Sequence, residues 1–215
     1  VTFYDDASGE RAELSAASLG NWIAKTHFLL TDELGLGVGS TAHLRLPLHW
    51  LDLVVLFGGW SAGVEFVDSP DGADVAFTTA DGVEACAGAN EVFALALRPW
   101  GQGFPGRPPP GSQDFVAAVR PQPDAWGSVR YAAGATDPAY LGITRAALVE
   151  RARARASDLG LGSGARLLVT DPAPGPLDVA TLLAPLSVGG TLVLVRHATS
   201  ALAGRIAQEK VTATV

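Results

Sequence analysis

Side chains able to do chemistry are few in this sequence, and they are scattered. The four histidines, His27, His43, His49 and His197, fall on separate segments with no Ser or Cys partner at a telling spacing. A relay needs nucleophile and base within hydrogen-bond reach, so these are expected to be capping or surface histidines. Cys86 is the sole cysteine, inside the small-residue stretch "VEACAGA". It excludes an intramolecular disulfide and a Cys-based metal site, and reads as a buried structural thiol. Asp5 with Asp6, and Asp32 with Glu33, read as solvated turn and helix-end charges. No metal site is suggested. What remains is "YAAGATDPAYLG", residues 131–142. It has the glycine, threonine and proline of a phosphate loop with a helix following. Such loops hold oxyanions with backbone N–H groups, hydroxyls and a cation. Here the lysine is absent and the hydroxyls are nearly gone, which leaves a working nucleotide site, a relic or an ordinary turn.

The surrounding elements read as follows. "VTFYDD" and "RAELS" flank a Ser-Gly turn and suggest an opening hairpin. Ser15 caps a helix to about Gly35, with Leu19, Trp22, Ile23, Leu30 and Leu34 on its apolar face. Strand "TAHLRLP", an apolar helix over 49–62 and strand "GVEFVD" imply a parallel pair. Strands "ADVAFTT" and "EVFALAL" enclose a small helix, "DGVEACAGA". Residues 98–112, rich in Pro and Gly, are expected to form an irregular connector. Thr144 is the expected N-cap of helix "ITRAALVERARARASDLG", which Gly160 closes. Its arginines, Arg145, Arg151, Arg153 and Arg155, are read as a solvated helix face. Three more strands alternate with two helices up to Val215. The prediction is an α/β fold with mostly parallel sheets flanked by helices. Residues 1–215 are expected to form a single domain of two packed halves, about 15–97 and 131–215, joined by the Pro/Gly-rich connector.

Composition narrows the partners. The chain has 215 residues, 48% of them hydrophobic, and a mean hydropathy of +0.24; a soluble protein with a well-filled core is expected. Its longest apolar stretch, "LPLHWLDLVVLFGGWSAGVEFV", carries His49, Asp52 and three glycines, so it reads as a buried helix entering a strand and not as a membrane span. No secretion signal opens the chain, and the absence of methionine places the expected start upstream. A net charge of −7, with Lys25 and Lys210 the only lysines, argues against nucleic acid and anionic membranes as partners. The cytoplasm is the expected compartment.

The order of segments resembles the N-terminal part of the adenylate-forming enzymes: acyl-CoA synthetases, peptide-synthetase adenylation domains and luciferases. The words that carry the resemblance are "ELSAASLGNWI", "LGLGVGSTAHLRLPLHWLDLVVLFGGWSAGVEFVD", "LGLGSGARLLVTDPAPGPLDVATLLAPLSVGGTLVLVR" and "RIAQEKVTATV". Each is weak alone, but they are collinear over most of the chain. In that order, residues 131–142 fall where the family keeps its phosphate loop, "Y-T-S-G-T-T-G-x-P-K-G". Tyr131, Gly134 and Thr136 match, and Pro138 matches after a one-residue deletion. Thr144 stands where the family often has the threonine of "T-H". These five are the residual phosphate-loop candidates.

The departures from the family are as informative. Ala132, Ala133 and Ala135 replace hydroxyl residues, Asp137 replaces a glycine, and Ala139 or Tyr140 stands near the missing lysine. "DPAPGP", residues 171–176, replaces an aromatic or His-containing segment near the family's acyl pocket. The family's later adenine-, magnesium- and ribose-binding motifs, and its mobile C-terminal domain, have no counterpart in these residues. The resemblance implies ATP, AMP or CoA as ligands; the losses argue against autonomous adenylation, leaving either a weak pocket for a nucleotide, CoA or an acyl group beside Gly134 and Thr136 or no small-molecule binding at all, and no cofactor and no catalytic residue is assigned. The expectation is a truncated pseudoenzyme, a stand-alone degenerate domain that binds or assembles. The alternatives are a ligase subunit completed by a separate chain, or a different enzyme on the same scaffold. A homodimer or a protein partner is expected to cover surface exposed by truncation, with Trp60 and Trp100 as candidates.

Overall fold

A computed structural model describes residues 1–124, 133–171 and 178–215. Tyr131, Ala132 and residues 172–176 of "DPAPGP" lie outside the described residues. The chain divides into two compact units. One comprises residues 1–15, 47–50 and 146–215, and the other residues 16–46 and 51–145. The opening hairpin thus groups with the second half of the sequence, and residues 98–112 belong within a unit.

The first unit is built on a five-stranded sheet in the order β12-β10-β11-β1-β2. Its strands are β1 (Thr2–Asp5), β2 (Glu10–Glu13), β10 (Arg166–Thr170), β11 (Thr191–Arg196) and β12 (Ala213–Thr214). β1 and β2 form the expected antiparallel hairpin; β1, β10, β11 and β12 run parallel. Leu192, Val193, Leu194 and Val195 of β11 are all buried, because a parallel strand covered on both faces has no polar side. Helix α5 (Val179–Ser187) is capped by Asp178, whose carboxylate accepts from the Ala180 N–H at 3.1 Å. Helix α6 (Leu202–Gln208) lays Leu202 and Ile206 on Tyr4, Leu168, Val193 and Val195. Most of helix α4 (Arg145–Asp158) also belongs here, burying Leu148, Ala152 and Ala156.

The second unit holds a seven-stranded sheet in the order β7-β6-β5-β3-β4-β8-β9. Its strands are β3 (Thr41–Arg45), β4 (Glu65–Val67), β5 (Val75–Thr79), β6 (Glu91–Leu95), β7 (Gln113–Asp114), β8 (Pro138–Tyr140) and β9 (Ile143–Thr144). All neighbours are parallel except β8 and β9. The expected β3–β4 parallel pair is present. Helix α2 (Trp50–Ala62) approaches its neighbours through glycine. A Cβ on Gly58 would collide with Thr26, and one on Gly59 with the Phe66 ring. Helix α1 (Ala16–Phe28) buries Ile23, Ala24, Thr26, His27 and Phe28.

Several local expectations need correction. The first helix does extend toward Gly35, but its last turn, Leu29–Glu33, widens to π geometry, and Gly35 ends it at φ +67°. "DGVEACAGA" is not one helix but two single 3-10 turns, Ala80–Gly82 and Glu84–Cys86. It is too short and too glycine-rich to pass helix nucleation. Just beyond the Pro/Gly-rich stretch lie β7 and helix α3 (Phe115–Val119), which the sequence reading missed.

Candidate functional site

The phosphate-loop candidates sit in the second unit. Ala135 and Thr136 form a turn closed by the Asp137 N–H donating to the Gly134 carbonyl at 3.2 Å. A second bond runs the other way: the Gly134 N–H donates to Asp137 Oδ2 at 2.7 Å. The chain was expected to pass from this turn into a helix. Instead a β8–β9 hairpin intervenes, with Pro138 paired to Thr144 and Tyr140 to Ile143. Leu141 and Gly142 turn the hairpin at φ +50° and +75°. The hairpin is fastened to β4 by the Leu141 N–H on the Phe66 carbonyl (2.8 Å) and the Gly142 N–H on Glu65 Oε1 (2.7 Å). The Trp60 indole N–H adds a bond to the Ala139 carbonyl at 2.9 Å.

Gly134 and Thr136 therefore share one exposed turn, while Pro138 and Thr144 face each other across the hairpin. Among the described residues, only Asp137 Oδ2, at 3.8 Å, would meet a Cβ on Gly134. The turn's own donor is already satisfied, because the Asp137 carboxylate is the anion at Gly134.

Among the described residues, the cation nearest this turn in sequence is Arg145, which the sequence alone suggests is solvated. Arg145 is only partly exposed. Its N–H donates to the Asp137 carbonyl (3.0 Å), and its Nη1 donates to the Trp60 carbonyl at 2.8 Å, near the end of α2. Nε and Nη2 are buried with no acceptor among the described residues. Burial lowers the Arg145 pKa from its ordinary value, and the Asp137 charge opposes that shift. Arg151 and Arg153 do lie exposed on α4, while Arg155 Nε donates to Thr181 Oγ1 at 2.9 Å. Neither lysine replaces the missing one: Lys25 Nζ donates to the Arg120 and Gln122 carbonyls at 3.0 and 2.5 Å, and Lys210 is an exposed residue of the first unit.

Charge gathers instead in the first unit, at the carboxyl ends of β1 and β11. Asp5 and Asp6 were expected to be solvated, yet their side chains are 3% and 5% exposed. Asp5 pairs with Arg196 at 2.6 Å and with His197 Nδ1 at 2.8 Å, and accepts from the Ala7 N–H at 3.0 Å. Burial pushes its carboxyl up, but the bonds from His197, Arg196 and Ala7 outweigh that and hold it well below the usual range. Asp6 accepts from the Thr199 N–H and hydroxyl at 2.9 and 2.8 Å, and pairs with Arg205. Long-range partners, not turn propensity, decide the burial of both aspartates.

The remaining histidines do structural work. His27 Nδ1 lies 3.1 Å from Ser61 Oγ, with both residues buried. His43 Nδ1 meets the Val67 carbonyl at 3.1 Å. His49 is fully buried against the Phe3 ring; burial, helped by the Arg196 charge, pushes its pKa down to about 3. Cys86 is buried and free. Among the described residues no group of His, Cys, Asp and Glu is arranged to hold a metal ion, and no helix is long and apolar enough to cross a membrane.

Two mostly parallel sheets flanked by helices, in this order, give the chain the fold of the N-terminal portion of adenylate-forming enzymes. The chain is similar to an acyl-CoA synthetase of Brucella canis, with a TM-score of 0.71 at 18% identity, over 100% of this chain and 44% of that one. It is also similar to an acetoacetyl-CoA synthetase from Streptomyces lividans, with a TM-score of 0.72 at 17% identity, over 97% of this chain and 38% of that one. An anthranilate CoA ligase in complex with anthranoyl-AMP matches with a TM-score of 0.69 at 14% identity, over 96% of this chain and 44% of that one. At these identities the likeness establishes the fold, and the chain spans less than half of each of these structures. No family model matches the chain. A TIGR03089 family protein of Mycobacterium tuberculosis is 39% identical over 221 residues, covering 99% of this chain and 89% of that protein. The chain belongs to the TIGR03089 family.

Proposed function

We propose that this chain is a degenerate adenylation-type domain, a binding or assembly protein of the cytoplasm without ligase activity of its own. One observation carries the reading: the Asp137 carboxylate occupies the Gly134 N–H at 2.7 Å. A phosphate loop must leave such donors to its ligand. A polyphosphate arriving here would have to displace the carboxylate and then lie beside it. Two like charges about 4 Å apart near a protein surface repel by about 4 kcal/mol. Among the described residues the turn has little to offset that. Ala133 and Ala135 offer no hydroxyl, and Arg145 already donates to Trp60. Adenylation depends on stabilising charge at developing oxyanions, and this turn offers mainly the Thr136 hydroxyl.

The test is acid-dependent exchange of pyrophosphate into ATP, run with a panel of carboxylic acids. The expected result is no exchange above the protein-free rate. Exchange that disappears in a Gly134→Trp variant would overturn the reading.

A second reading is a subunit of an AMP-dependent acyl-CoA ligase completed by a separate chain. The observation favouring it is coverage: only 38–44% of the synthetases and ligases described above is matched. Under this reading exchange appears only when a chain carrying the metal- and ribose-binding motifs is added.

A further inference from the structure

The carboxyl ends of three neighbouring parallel strands, β10, β11 and β1, meet at His197. Its N–H donates to Oδ2 of Asp171, just past β10, at 2.5 Å. Its ring Nδ1 lies 2.8 Å from Oδ1 of Asp5, the last residue of β1. Open α/β sheets bind ligands outside the carboxyl ends of their strands. The His197 backbone is left-handed, at φ +53°, a conformation uncommon in residues with a side chain and concentrated at functional sites. Asp5, with its side chain 3% exposed, is fixed in turn by Arg196 and the Ala7 N–H, and these bonds keep it ionised. An ionised carboxylate can only accept, so Nδ1 carries the ring proton and Nε2 keeps its lone pair. The His197 side chain is 53% exposed, and no group among the described residues bonds to Nε2.

A buried carboxylate that orients an accessible imidazole is the arrangement of a general base. Charge favours that role. Among the described residues at these strand ends, Asp5, Asp6 and Asp171 outnumber Arg196 and Arg205. An imidazolium formed there is stabilised, and an anionic substrate is repelled. His49, near Asp5 and Arg196, is kept neutral by burial and adds no charge. No hydroxyl or thiol among the described residues bonds to the ring, which leaves water as the nucleophile. We propose that His197 Nε2 is a general base for the hydrolysis of neutral carboxylic esters, with Asp5 as its positioning residue. Nε2 takes a proton from water as the water oxygen bonds to the acyl carbon. The tetrahedral adduct then breaks its bond to the alcohol oxygen, which leaves with the proton that Nε2 returns. Acid and alcohol are the products. The site lies in the first unit and rests on nothing at the Gly134 turn, so a chain found to bind ATP would leave it standing.

The test is hydrolysis of p-nitrophenyl acetate by the wild type, His197→Gln, Asp5→Asn and, for a histidine elsewhere in the fold, His43→Gln. The wild type and His43→Gln are expected to hydrolyse the ester at one rate, and more slowly in D2O. His197→Gln is expected to lose about 100-fold, the low end for general acid–base catalysis. An asparagine at position 5 donates to Nδ1 and so moves the ring proton to Nε2, and Asp5→Asn is expected to lose as much. Ring-nitrogen NMR at alkaline pH, where imidazole is neutral, should show Nδ1–H in the wild type and Nε2–H in Asp5→Asn. An aspartate that only held the fold would not change the tautomer in this way. A wild type no faster than His197→Gln overturns the proposal. So does a rate equal in H2O and D2O, or a folded Asp5→Asn that keeps the wild-type rate. Should Asp5→Asn fail to fold, His197→Gln and the isotope comparison decide.

Discussion

At the carboxyl ends of β1 and β11, the carboxylates of Asp5 and Asp6 meet Arg196, Arg205 and His197 and leave little charge unbalanced. At the Gly134 turn one carboxylate meets one backbone N–H, and a half-hidden guanidinium turns to the Trp60 carbonyl. The first arrangement fastens elements far apart in sequence. The second satisfies a turn from within itself. In both places the ionised groups bond to neighbours within the same unit of the fold.

The difference between the two regions should appear first in stability. Asp5→Ala leaves Arg196 buried without its carboxylate, and loss of one partner of a buried pair costs about 3–5 kcal/mol. A urea unfolding series should show that drop. Asp137→Gly, by contrast, removes only a local bond at an exposed turn and should cost about 1 kcal/mol or less in the same series. A comparable loss for both variants would erase the contrast.

Acid should separate the contributions in order. The unfolded state protonates His49 near its ordinary value of 6.5, whereas the folded state resists until about pH 3. Between those values the unfolded state binds more protons, so stability falls as pH drops, by up to about 1.4 kcal/mol per pH unit. His27, also lowered by burial, adds a contribution of the same sign. His49→Gln should flatten the melting-temperature profile between pH 6.5 and 4.5. Asp5 acts later: its folded pKa lies below the ordinary 3.8, so its contribution is intact above that value and is lost as pH falls through the folded one. Asp5→Asn should therefore change the profile chiefly below pH 4.

The most local effect is expected at Trp60. Trp60→Phe keeps most of the ring packing against Phe57 and Phe66 but loses the bond to the Ala139 carbonyl. A cost of about 1 kcal/mol follows, read as faster amide exchange in the β8–β9 hairpin.

Much of the scaffold was legible because its signals are local. The runs "ARLLVTD" and "TLVLVR" are apolar without alternation, which is how strands covered on both faces read. Gly35 and Gly160 close helical paths at positive φ, as their positions suggested. What escaped depends on distance or on brevity. Asp5 looks like a turn residue until Arg196, 191 residues on, covers it. Arg145 opens a basic run, and only the hairpin between Asp137 and α4 turns it toward Trp60. The hairpin itself was hidden because Leu141, a poor turn former, takes a left-handed backbone beside Gly142. Helix α3 spans Phe115–Val119, too short for a helical period to show. The five phosphate-loop positions could be aligned from sequence, but the Asp137–Gly134 bond needed the folded turn.

The most direct measurement is calorimetric titration of Mg·ATP into the wild type and into Asp137→Gly. A self-occupied turn predicts no saturable heat for the wild type at millimolar ATP. Any binding should emerge only when the Asp137 carboxylate is removed. Saturable binding to the wild type, abolished by Gly134→Trp, would contradict this and mark the turn as a working nucleotide site.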